Sequence, residues 1–251
     1  MYEAVHARPD GDSTVARLAL TASEYGYDGI VVRNHGDSPA SYDLERIRET
    51  YGIDVVTAVE IRAEDPARAS GFVGSHREDQ TIVLVHGGDP AINRFAVEQP
   101  AVDVLAHPMA GDGDFNHVLA REAARNGVRV ELSLRRVLRE SGGRRVRALG
   151  DLRKLRELLD DGDTPFVVSA DARSHLQLRA PRELAAVGEV VGLGSASIEE
   201  GLAEWQHLTE RNRERQSDSF VEPGVRRIET ASDTGTDADD GADSDSDGAA
   251  E

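Results

Sequence analysis

At 251 residues and a formal net charge of −18, the chain is long enough for one barrel-sized domain. It carries 47 acids against 29 basic residues, of which only Lys154 is a lysine. The lack of cysteine excludes disulfides, thiolate metal sites and cysteine nucleophiles. The lack of any apolar run of about 18 residues, and of a signal-peptide pattern, leads us to expect a cytoplasmic protein without a membrane anchor.

Strand and helix patterns alternate from the first residues. An apolar run at 2–5 stops at His6, and a helix is expected over 14–25, with Val15, Leu18, Ala19 and Ala22 on one face and Ser13 as its N-cap. The run 29–34 stops at His35, ahead of a helix over 42–51 started by Ser41. A third strand covers 54–61, its run stopping at Glu60. Pro66 can open a short helix, but Gly71 to Ser75 reads as a strand or turn. Residues 81–85 form a strand stopping at His86, and a helix is expected over 90–98. A fifth strand, 103–106, stops at His107, and the helix 116–126 should end at Gly127 in the left-handed conformation. Strand 128–134 leads into an insertion at 135–150 and a helix with a stripe of Leu149, Leu152, Leu155, Leu158 and Leu159. The strand 166–170 stops at Asp171, Pro181 opens a helix, 190–193 is a weak extended piece, and 197–216 is the last helix.

Successive βα units imply right-handed crossovers and a parallel sheet. The fold class is therefore α/β, a TIM-barrel-like (β/α) barrel with about seven parallel strands. An open doubly wound sheet is the alternative, disfavoured by the missing glycine-rich phosphate loop after the first strand. The domain is expected over 1–216, with 217–251 as a disordered acidic tail. Residues 228–251 hold nine acids and no base, too little apolar surface to offset chain entropy.

In such a barrel the carboxyl ends of the strands converge on one mouth. His6, Glu60, His107 and Asp171 have the chemistry of zinc, manganese or iron ligands. The pattern resembles the polymerase-and-histidinol-phosphatase superfamily of metal hydrolases, which opens on an H-x-H pair and carries a D-x-H near its last metal strand. Here those stretches read His6-Ala7-Arg8 and Asp171-Ala172-Arg173, and a cation cannot ligate a metal. No bound metal is expected, with His6, Glu60, His107 and Asp171 as vestigial candidates. His6, His35, His86 and His107 are expected to bond loop backbone, and His76, His117, His175 and His207 to be surface or packing residues. Ser169 lacks a nucleophile elbow, so no catalytic residue is assigned.

The insertion concentrates positive charge. Arg135, Arg136, Arg139, Arg144, Arg145, Arg147, Arg153, Lys154 and Arg156 stand against only Glu140 and Asp151. An acidic, arginine-for-lysine composition suits molar salt, where the Debye length is about 3 Å, and so points to a halophilic source. That bias runs against a basic cluster, which makes the insertion a candidate RNA-backbone or acidic-partner surface. Arg173 and Arg179 are added to it. The alternative is a solvated face with intrahelical pairs such as Arg153–Glu157.

Two stretches carry a resemblance: 103–108 with 115–134 (Asp103-Val-Leu-Ala-His-Pro; Phe115-Asn-His-Val-Leu-Ala), and 165–173 continuing to 179–184. Over about residues 1–210 the chain resembles the protein-component-3 family of archaeal ribonuclease P. The resemblance implies a ribonucleoprotein subunit that helps remove the 5′ leader from precursor tRNA. It implies ribonuclease P RNA, protein component 2 and the other archaeal ribonuclease P proteins as partners. It also implies catalysis by the RNA with Mg2+, and no cofactor on the protein. A stand-alone metal-dependent phosphoesterase is the competing reading.

Overall fold

A computed structural model describes residues 1–217, 220–222 and 225–226. Met1–Gln216 form one compact unit. Seven parallel strands run in sequence order: β1 (Tyr2–Val5), β2 (Gly29–Val32), β3 (Asp54–Ile61), β4 (Ile82–His86), β5 (Val104–Ala106), β6 (Arg129–Ser133) and β7 (Phe166–Ser169). The ring nearly closes at its carboxyl end, where His6 N–H donates to the Ala172 carbonyl at 2.9 Å and Val5 bridges Ala172. This is the expected barrel, not the open sheet.

Between the strands lie α1 (Val15–Glu24), α2 (Leu44–Tyr51), α3 (Pro66–His76), α4 (Pro90–Glu98) and α5 (His117–Asn126). They are followed by α6 (Arg135–Arg139), α7 (Gly142–Asp161), α8 (Pro181–Val191) and α9 (Ser195–Arg215). Several ends differ from the sequence reading, each for a local reason. Thr14 and Asp43 cap α1 and α2 in place of Ser13 and Ser41; Ser13 Oγ is instead engaged by His175, Nδ1 at 2.9 Å and N–H at 3.1 Å. Residues 71–75 belong to α3, because Ala69 and Val73, one turn apart, are buried despite two flanking glycines. The insertion is two helices, not a loop, and 190–193 holds the end of α8 and its left-handed Gly192 cap (φ 83°).

No eighth strand joins the ring among the described residues. Its place is taken by α9, which packs along β7 and β1. Gly201 makes this possible: a Cβ there would fall 2.9 Å from the Val168 backbone nitrogen. Trp205 and Leu208 of α9 are fully buried against the inward side chains Tyr2, Ala4, Val31, Val56, Ile82, Leu84, Val104, Ala106 and Val167, closing the barrel floor. The larger core lies outside the ring, between strands and helices. Separately, Phe220–Glu222 and Val225–Arg226 pair as a short antiparallel hairpin within the segment assigned to the tail. The acid-rich remainder, 227–251, lies outside the described residues.

Candidate functional site

Side chains alternate across a strand with period two, so each inward apolar residue predicts another inward residue two places on. Ala4 is followed by His6, Val31 by Arg33, Ala58 by Glu60 and Leu84 by His86. The barrel therefore turns from apolar to ionisable at its carboxyl end. His6, Arg33, Glu60 and Glu131 are fully buried, and His35 and Asp171 nearly so.

Arg33 is the centre of this layer. Its Nε and Nη2 donate to Glu60 Oε2 at 2.9 and 2.6 Å. Nη1 donates to Glu131 Oε1 through a very short contact, and Nη2 reaches Glu131 Oε2 at 3.2 Å. Ser169 Oγ donates to Glu131 Oε1 at 2.6 Å. Burial opposes the Arg33 charge, but Glu131 and Glu60 outweigh it and hold its pKa above the ordinary value. Burial pushes the Glu60 carboxyl up, yet Arg33, then His35 and His86, drive it well below the usual range.

A second cluster adjoins the first. Asp10 Oδ2 accepts from His6 Nδ1 at 2.7 Å, His35 Nδ1 at 2.6 Å and His35 N–H at 3.1 Å. With Nδ1 so engaged, His6 Nε2 lies 3.1 Å from Asp171 Oδ1, and His35 Nε2 lies 3.5 Å from Glu60 Oε1. Neither pair is aligned as a hydrogen bond. Burial lowers the His6 pKa, but Asp10 and Asp171 prevail and raise it, so its imidazolium persists further up the pH scale. His107 goes the other way, lowered chiefly by burial. His86 Nδ1 makes a very short contact to Glu60 Oε1. The four mouth histidines thus meet carboxylates through their rings, not loop backbone as expected. His107 (φ 50°) and Asp171 (φ 46°) hold left-handed backbone, strain of the kind that collects at functional sites.

Two triads, His6–Asp10–His35 and His35–Glu60–His86, place ligand-type atoms within 4.8 Å of one another. Among the described residues the expected quartet of His6, Glu60, His107 and Asp171 supplies no such triad. In a two-metal hydrolytic centre the ions clamp the attacking and leaving oxygens. Arg33 lies between Glu60 and Glu131 and already engages carboxylate oxygens that a metal held by those two residues would need. Side chains supply positive charge to these carboxylates: Arg33 and His6 within, Arg135 against Asp171 (3.4 Å) and Arg173 against Asp10 (3.5 Å) at the rim. Arg8, expected to disarm the mouth, does not enter it; it is exposed and donates Nε to the Asp12 carbonyl at 3.0 Å. The cation that matters is Arg33, which the sequence reading missed, with Asp10 and Glu131.

These shifts fix a pH dependence. Burial raises the Glu3 carboxyl to about 8, so folding binds a proton there, and the associated stability falls as pH rises from 4.5 to about 8. His6, raised, adds stability that is complete below about 6.5 and lost as pH climbs past its folded value. Asp10, Asp171 and Glu60, all held low, contribute stability above about pH 4 that is lost on acidification. Melting temperature at fixed salt should therefore peak near pH 5, by these ordinary and shifted values. It should then decline toward pH 8, with Glu3→Gln flattening the decline. A wild-type melting temperature that is level or rising over that interval would contradict this.

Most of the basic candidates are already engaged. Arg136 pairs with Asp151 at 3.0 Å, Arg139 donates to the Ala170 carbonyl at 2.7 Å and Arg153 to the Val191 carbonyl at 2.7 Å. Arg156 pairs with Asp160 at 2.8 Å and lies over the Phe166 ring, and Arg179 donates to the Leu178 carbonyl at 2.7 Å. The expected Arg153–Glu157 pair does not form. Among the described residues, Arg144, Arg145, Arg147 and Lys154 are exposed with no side-chain partner.

The fold and mouth define a class: a seven-stranded parallel barrel whose mouth is held by a buried guanidinium and histidines among carboxylates. A histidinol phosphate phosphatase from Lactococcus lactis shares the fold alone, with a TM-score of 0.50 at 11% identity over 73% of this chain and 91% of that one. A chain of the cryo-EM structure of archaeal ribonuclease P with mature tRNA matches with a TM-score of 0.78 at 26% identity, over 92% of this chain and 99% of that one. Ribonuclease P protein component 3 of Haloarcula marismortui is 64% identical over 233 residues, 93% of this chain and 99% of that protein. The family model described as RNase P subunit p30 matches residues 1–217. The chain belongs to the RNase P subunit p30 family.

Proposed function

We propose that this chain is the protein-component-3 subunit of an archaeal ribonuclease P, the ribonucleoprotein that removes the 5′ leader of precursor tRNA. The observation that carries the reading is the match to component 3 of Haloarcula marismortui across nearly the whole of both chains. The acid-rich, arginine-for-lysine composition agrees with a haloarchaeal setting. Arg33 bound between Glu60 and Glu131 supports a division of labour in which this chain carries no hydrolytic residue. In this reading, as the family resemblance implies, the chemistry belongs to the RNA subunit and its Mg2+, and this protein acts as a scaffold. Its partners are ribonuclease P RNA, protein component 2, the other archaeal ribonuclease P proteins and, as substrate, precursor tRNA. Its place is the cytoplasm, and no described helix is long and apolar enough to cross a membrane.

The test is reconstitution of precursor tRNA processing from RNA and proteins, with and without this chain. Omitting it should reduce cleavage at limiting protein; equal cleavage without it would overturn the reading.

A further inference from the structure

We infer that RNA lies across one arc of the barrel rim, the arc above β6, β7 and β1, and not over the whole mouth. The inference rests on the functional reading above and adds to it the face that meets RNA. Every loop at the carboxyl end of a strand contributes to the rim, and charge divides these loops in two. Above β2 to β5 the exposed acids are Asp37, Glu64, Asp65, Asp89, Asp112 and Asp114, with Arg62 paired to Asp37. Above β6, β7 and β1 stand Arg135, Arg144, Arg145, Arg147, Arg173 and Arg8, with Asp12 as the exposed acid among them. These last loops are contiguous, because the seam between β7 and β1 is stitched by Asp12 N–H to the Arg173 carbonyl at 2.6 Å.

Helix α7 sets the orientation. Its middle residues Ala148 and Asp151 line a cleft with His107 and Pro108 of the mouth, while Arg156 lies over Phe166 at the opposite end of the barrel. The helix therefore descends from the mouth, and Arg144, Arg145 and Arg147 project from its first turns on the mouth side. They are the rim cations with no protein partner, presented on a rigid element, so their guanidinium forks are free for phosphate.

In molar salt, phosphate attraction acts over about 3 Å and counterion release is weak. Contacts that desolvate apolar surface must then share the load, and the same arc supplies them. Val146, between the free arginines, is 68% exposed, and Leu176 in the loop after β7 is 75% exposed. That loop is tied to the α6–α7 pair through Arg139, which donates to the Gln177 carbonyl at 3.3 Å.

The test uses the purified full chain and ribonuclease P RNA, with affinity measured across a potassium chloride series. Arg144→Glu/Arg145→Glu/Arg147→Glu should weaken binding at least about tenfold and lower the salt slope by roughly two, since each lost phosphate contact removes about 0.7–0.9. Arg94→Glu/Arg121→Glu/Arg125→Glu changes net charge equally on exposed outer positions of α4 and α5, and should weaken binding far less. Val146→Ser/Leu176→Ser should lower affinity by a similar factor at every salt concentration and leave the slope unchanged. Wild-type affinity and slope in the first triple variant, with or without loss of a protein partner, would overturn the docking face. Failure of the wild-type chain to bind the RNA at all would instead remove the functional reading beneath it.

Discussion

Arg33→Met is expected to destabilise the fold by about 3–5 kcal/mol, the cost of leaving buried charge without its partner. Glu60 and Glu131 are both fully buried, and the guanidinium pairs with both of them. Against a typical total of about 5–15 kcal/mol, such a loss removes a large share of the stability. Denaturant unfolding at fixed salt and pH measures it. The triple variant Arg33→Met/Glu60→Met/Glu131→Leu should recover most of the loss, because it removes the stranded charges along with their partner. Wild-type stability in the single variant would mean that Arg33 does not hold the mouth together.

Trp205→Ala should cost about 3–5 kcal/mol, the range for emptying a buried indole site. Trp205 closes the barrel floor from α9, and its Nε1–H donates to the Val168 carbonyl at 2.9 Å. Trp205→Phe keeps most of the packing and loses mainly the hydrogen bond, so it should cost nearer 1–2 kcal/mol. Because α9 lies at the far end from the rim arginines, RNA affinity per folded molecule should stay unchanged in both variants. Equal stability of Trp205→Ala and the wild type would show that the floor is closed by something other than this ring.

The parallel strands were legible in the sequence because six short apolar runs stop at a histidine or an acid, whereas closure into a barrel rather than an open sheet shows only in the β1–β7 seam. Helix α3 was not, since Gly71 and Gly74 mask a one-turn Ala69–Val73 stripe that only packing reveals. The role of α9 as the closing wall was equally hidden, because nothing in a helical pattern says which gap it fills.

The site was half legible. His6, Glu60 and Asp171 stand where apolar runs stop, but Arg33 lay unremarked inside the run 29–34 and Asp10 was given no role. A signal for Arg33 did exist. It shares strand parity with inward Val31, and Glu131 shares parity within a strand whose neighbours Val130 and Leu132 pack outward. An inward arginine and two inward glutamates on separate strands imply a buried ion pair. Reading parity as well as run endings would have found it. The two expected disarming cations fared differently: Arg173 reaches Asp10, whereas Arg8 turns away from the mouth.

The most direct measurement incubates the RNA-free full chain with precursor tRNA in manganese or zinc and assays both cleavage and bound metal. A mouth neutralised by Arg33 and His6 predicts no cleavage and no stoichiometric bound metal. Cleavage that a chelator abolishes and that Glu60→Gln removes would contradict it.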